Sequence, residues 1–148
     1  MAYNSAVSAY KETKIKTAGQ GQLIIMLYDE AIRQLNRAIE LMELNSNGKK
    51  DPGRIEIIGK AVMKAEEIIT ELMASLDFEQ GGDISKNLFA LYNWFNRELL
   101  EANISQEKNR MTNVKNMISD LRDVWYEVVS KNMAEADNRE VLGINIAG

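Results

Sequence analysis

The chain of 148 residues carries 18 Lys and Arg against 22 Asp and Glu, a net charge of −4, and contains neither Cys nor His. With 45% hydrophobic and 27% charged residues it has the balance of one globular domain, long enough to bury about two thirds of its unfolded surface. Lacking Cys and His, it cannot use disulfides, thiolate or imidazole catalysis, Cys-based metal sites or the Glu-x-x-His pairs of di-iron bundles, and its acidic balance argues against a nucleic-acid ligand.

The first twenty residues set Tyr3, Val7, Tyr10 and Ile15 among polar neighbours and are expected to form an arm, residues 1–20. The opening Met1-Ala2-Tyr3-Asn4-Ser5 lacks the basic and apolar regions of a signal peptide. The longest apolar run, Leu23 to Leu27, is far shorter than the ~18 residues of a membrane span. A cytosolic protein without membrane insertion is therefore expected.

Ile24, Tyr28, Ala31, Leu35, Ala38 and Met42 recur at steps of four and three, which only a helix places on one face, and predict a first helix from Gly21 to Leu44. The turn-forming cluster Asn45 to Gly53, with the single proline Pro52, ends it. Ile58, Val62, Ala65, Ile69, Leu72 and Leu76 predict a second helix from Arg54 to Leu76. A break at Asp77 to Asp83 follows, with Gly81-Gly82 suited to positive φ and Asp83 or a neighbour as N-cap. Ile84, Leu88, Leu91, Phe95 and Leu99 predict a third helix from Ile84 to Ala102. Ser105 is the candidate N-cap of a fourth, Gln106 to Ala136, striped by Met111, Val114, Ile118, Leu121, Trp125 and Val128. Asp137-Asn138 and Gly143 then introduce a tail, residues 137–148, carrying Val141, Leu142, Ile144 and Ile146.

Short connections make successive helices antiparallel, and four amphipathic stripes bury one another only around a common core. The expected fold is all-α, an antiparallel up-down four-helix bundle over residues 21–136. Apolar residues off the stripes, Ile25, Ile32, Ile39, Phe89, Trp94, Met117 and Val124, fit either a thick core or a groove for a partner, and eight methionines suit both. Asp29, Glu30, Glu66, Glu67 and Asp120 could pair for acid–base work, with Arg33, Arg37, Arg97 and Arg122 as anion clamps, but adjacent acids on helices usually mark a solvated face. Lys49-Lys50 lacks the glycine spacing of a phosphate-binding loop. No catalytic residue, metal or cofactor is expected. A helical adaptor or oligomerisation module fits the periodicity equally well.

Ala9-Tyr10, Thr17-Ala18 and the run Leu23 to Ile32, LIIMLYDEAI, resemble the start of the FliS family of flagellar export chaperones. Ser75-Leu76-Asp77, Gly81-Gly82, Asn87-Leu88, Leu91-Tyr92, Leu99 and Ala102-Asn103 resemble its middle helices, and Leu121-Arg122 with Trp125 its last. The resemblance spans about Tyr10 to Trp125 in order. Where the family usually has Ser-Pro after Thr17-Ala18, this chain has Gly19-Gln20-Gly21. The resemblance implies a cytosolic, non-enzymatic chaperone that binds the C-terminal segment of flagellin, preventing premature polymerisation, with an N-terminal arm lying over the client groove. It implies partner-binding residues at Val7, Tyr10, Ile25, Tyr28, Asn87, Leu88, Leu91, Tyr92, Phe95 and Asn103. A contact with the export apparatus, and a monomer or weak dimer in the free state, are left open.

Overall fold

The computed structural model describes the backbone of residues 19–141 and the side chains of residues 20–131. Its four helices are α1 Gly19–Asn47, α2 Pro52–Ala74, α3 Phe78–Ser105 and α4 Lys108–Val141; there is no strand among the described residues, and the helices pack together as an all-α bundle. The chain divides into two compact units, Leu27–Ser119 and Met1–Met26 together with Asp120–Gly148.

In the unit Leu27–Ser119 the stripe residues Tyr28, Ala31, Leu35, Ala38 and Met42 on α1, and Ile58, Val62, Ala65, Ile69 and Leu72 on α2, are buried as expected, whereas Leu76 lies beyond the end of α2 and is half-buried. Met111, Val114 and Ile118 supply the core face of α4. The third stripe is corrected. Tyr92, Phe95, Leu99 and Ala102 are buried on α3, whereas Leu88 and Leu91 are half-buried and Ile84 is 71% exposed. Gly59 of α2 lies beside Asn103, and Thr70 accepts a hydrogen bond from Asn96, so α2 and α3 run antiparallel.

Helix ends follow local chemistry. Asp51 caps α2 by accepting the Gly53 N–H at 2.9 Å, and Pro52 starts that helix because its missing N–H would go unpaired there anyway. The expected cap at Asp83 is replaced by Asp77, whose Oδ1 accepts the N–H groups of Glu79 and Gln80, both at 3.0 Å. One helical turn therefore precedes Gly82, which breaks the regular backbone with φ 51° and ψ −123°. Ser105 does not cap α4. It ends α3, and Gln106 closes the helix in the left-handed conformation, with the Glu107 N–H donating to the Ala102 carbonyl at 2.9 Å. Ion pairs tie this end of the unit: Lys108 to Glu43, and Arg110 to Glu98, Glu101 and Glu107.

In the other unit Leu23 and Ile25 are buried. A Cβ at Gly21 would stand 2.7 Å from Val129 Cγ2, so a glycine here permits close approach of α1 to α4. Arg122 lies 5.0 Å from the centre of the Tyr126 ring. Leu121 and Trp125 are half-buried and Val128 is exposed, so the fourth stripe thins along this stretch. α4 continues through Asp137-Asn138 to Val141 instead of ending at Ala136, since Asp and Asn inside a helix cost less than the next glycine, Gly143. Residues 1–18 of the expected arm and 142–148 of the tail lie outside the described residues.

Candidate functional site

α3 presents two flanks beside its core face. At about 100° per residue, Phe89, Asn93, Asn96, Leu100, Asn103 and Ile104 share the flank turned to α2. The Asn96 Nδ2 to Thr70 Oγ1 bond at 3.2 Å and the 3.9 Å approach of Asn103 Nδ2 to a Cβ at Gly59 fix that orientation. The opposite flank carries Leu91 and Glu98, the latter bonded by Arg110 Nε at 3.0 Å and Nη2 at 2.6 Å.

On the α2 side, Gly59, Met63, Glu66 and Thr70 recur at steps of four and three along the same seam. Met63, Phe89, Leu100 and Ile104 are all exposed, up to 73% at Ile104, while Gly59, Asn96 and Asn103 are less so. The result is a shallow seam with apolar sides and an amide-bearing floor. Along its floor, burial pushes the Glu66 carboxyl above its ordinary range, and Asn96 Oδ1 is buried without a hydrogen-bond partner among the described residues. At the Gly82 end Phe78 and Phe89 meet edge to face, with ring centres 5.9 Å apart.

The described residues among those expected to bind a partner differ in burial. Tyr28, Tyr92 and Phe95 are at most 2% exposed and belong to the core. The Tyr28 and Tyr92 hydroxyls hydrogen-bond each other there. Ile25 is buried at 8% exposure in the other unit. Asn87 is exposed, and Leu88 and Leu91 are half-buried away from the α2 seam; Asn103 lies in it. Val7 and Tyr10 lie outside the described residues. Phe89 was already marked by its position off the stripe. The sequence does not mark Met63, Leu100 and Ile104, because an apolar residue beside a stripe does not announce whether it is covered.

Glu30 pairs with Arg33 at 2.6 Å and accepts from Gln34 at 2.9 Å, and that guanidinium holds its carboxyl below the ordinary range. Among the described residues no group of three acids could hold a metal ion, and no helix is long and apolar enough to cross a membrane. What the surface offers is an apolar seam with free edges, suited to receive another helix.

Comparison with known proteins agrees with the motifs. The family model described as Flagellar protein FliS matches residues 2–132. The flagellar secretion chaperone FliS of Salmonella typhimurium is 33% identical over 132 residues, covering 86% of this chain and 92% of that protein. The protein of the same description from Bacillus subtilis is 27% identical over 129 residues, covering 87% and 90%, and that from Escherichia coli 32% over 117 residues, covering 78% and 80%. With the family model matched over most of its length and the bundle built as described, the chain belongs to the FliS family.

Proposed function

We propose that this chain is a cytosolic export chaperone for flagellin, holding the C-terminal helical segment of the subunit on the seam between α2 and α3 until secretion. The observation that carries this reading is the row of exposed apolar side chains Met63, Phe89, Leu100 and Ile104 along one interhelical seam. A segment that is disordered in the free subunit and helical in the filament exposes an apolar face, and an apolar groove that covers it blocks polymerisation. The floor amides of Asn96 and Asn103 add polar contacts that fix its register. Val7 and Tyr10 of the arm are proposed to lie across the client groove and to yield to the client. Asn87, Leu88 and Leu91 form a second contact line on the other flank of α3.

Calorimetric titration with full-length flagellin tests the reading. Leu100→Glu and Ile104→Glu should each weaken binding by at least about tenfold, because a charge would be buried in an apolar contact, with little change in melting temperature. Flagellin lacking its last helices should not bind. Loss of binding with Leu91→Glu but not with Leu100→Glu would move the client to the other flank. Undiminished binding of truncated flagellin would remove the C-terminal segment from the proposal.

A further inference from the structure

We propose that the hollow at the loop end of the unit Leu27–Ser119 is a carboxylate site that takes the free carboxy terminus of a polypeptide. The hollow, of about 390 Å³, lies where α1 and α3 end and α2 begins. Met42 and Ile55 give it an apolar wall, while Asn45, Ser46, Lys50 and Ser105 bring hydrogen-bond donors, and no acid lines it. The Ser46 and Ser105 hydroxyls and the Lys50 ammonium have no protein partner among the described residues. Asn45, 92% buried, uses its Oδ1 to accept from the Asp51 N–H at 3.2 Å and from Arg54 at 3.3 Å, and its buried Nδ2 lacks an acceptor. Such a wall suits an oxyanion: Lys50 supplies charge, the serines supply O–H donors, and the unpartnered Nδ2 of Asn45 is a further N–H donor.

Carboxylate attached to a chain fits better than a small inorganic anion for two reasons. Met42 and Ile55 would cover an apolar last side chain. A second, more open hollow of about 600 Å³ also borders Met42, Ser46 and Gln106, and leaves room for the preceding residues. Its own cations are committed, Lys108 to Glu43 and Arg110 to Glu98, Glu101 and Glu107, which leaves Lys50 to hold the charge. That the chain end is flagellin's rests on the chaperone reading; that the hollow takes a chain end does not.

The test titrates the full chain with N-acetyl-Gly-Ala-Leu as the free acid, with its C-terminal amide, with acetate and with inorganic phosphate. The acid should bind at least about tenfold more tightly than the amide, the worth of one charge-assisted hydrogen bond, and more tightly than acetate or phosphate. Lys50→Met should remove that preference and Lys50→Arg restore it, with unchanged melting curves for both variants. Equal binding of acid and amide, no effect of Lys50→Met, or phosphate binding as tightly as the peptide acid would each overturn the proposal. A flagellin C-terminal peptide is then compared as acid and amide. Full affinity in both forms would overturn the placing of flagellin's end in the hollow and leave the chaperone reading standing, whereas no binding in either form would count against the chaperone reading; the tripeptide result decides the site in both cases.

Discussion

The hydroxyl of Tyr28 on α1 and the hydroxyl of Tyr92 on α3 hydrogen-bond each other inside the core, at 0% and 2% exposure. A buried hydroxyl that loses its partner is costly, whereas replacing both by apolar groups is not. Tyr28→Phe and Tyr92→Phe should each lower unfolding free energy by roughly 1 kcal/mol. The double variant should lose clearly less than the sum, as urea denaturation of all four proteins would show. Strict additivity would mean that the two hydroxyls do not support each other.

Gly81 and Gly82 are glycines for different reasons. A Cβ at Gly81 would sit 1.8 Å from Ser85 Oγ, which donates to the Asp77 carbonyl at 2.8 Å, while Gly82 needs φ 51° with ψ −123° and has open space around it. Gly82→Ala should cost about 1–3 kcal/mol through backbone strain, whatever stands at position 85. Gly81→Ala should also destabilise, and Ser85→Ala should recover part of that loss. Thermal melts of the single and double variants check both statements, and a harmless Gly82→Ala would refute the strained turn.

Gln106 ends α3 at φ 52°, ψ 46°, where most side chains meet steric cost, and its Nε2 donates to the Asn103 carbonyl at 2.7 Å. Gln106→Gly relieves the backbone and forfeits that bond together with the longer one to Asn103 Oδ1 at 3.3 Å. The left-handed position dominates, so the variant should gain about 0.5 kcal/mol in denaturant unfolding. A net loss would show that the side-chain bond outweighs the strain.

Acid should act in two opposed steps. The Arg110 guanidinium holds the Glu98 carboxyl, and the Lys108 ammonium the Glu43 carboxyl, below the ordinary value of 4.5. Their pairs therefore stabilise the fold above pH 4.5, and that contribution is lost as the pH falls through their folded values. Glu66 has the reverse sign, since burial raises its folded value: it costs stability at neutral pH, and the cost is relieved as the pH falls toward 4.5. Relative to the parent protein, Glu66→Gln should be more stable at pH 7 and the two should converge near pH 4.5. Arg110→Met should be less stable at pH 7 and narrow its deficit below pH 4.5. Urea midpoints measured across this range decide both, and a constant offset for Glu66→Gln would show that its charge is not penalised.

Periodicity alone determined that the chain is four helices and which faces of α1, α2 and the first half of α4 are buried. On those helices the stripe residues from Tyr28 to Met42, from Ile58 to Leu72 and from Met111 to Ile118 are buried, although Ile32, Ile39 and Met63 lie off them. On α3 the sequence could not choose. Leu88, Leu91, Tyr92, Phe95, Leu99, Leu100 and Ile104 wrap much of the helix, and several stripes with a step of three or four can be drawn through them. Packing against α2 and the hydroxyl pair with Tyr28 selected Tyr92, Phe95 and Leu99, and that rotation left Leu100 and Ile104 outside beside Met63. The hollow around Lys50 was equally beyond the sequence, since Met42 and Ser105 are far apart along the chain and meet only because antiparallel helices return their ends to one place. Local pattern determines which elements form, because a helix answers to its own residues. Which of its apolar residues remain uncovered is decided by neighbours distant in sequence, and that is where a partner can bind.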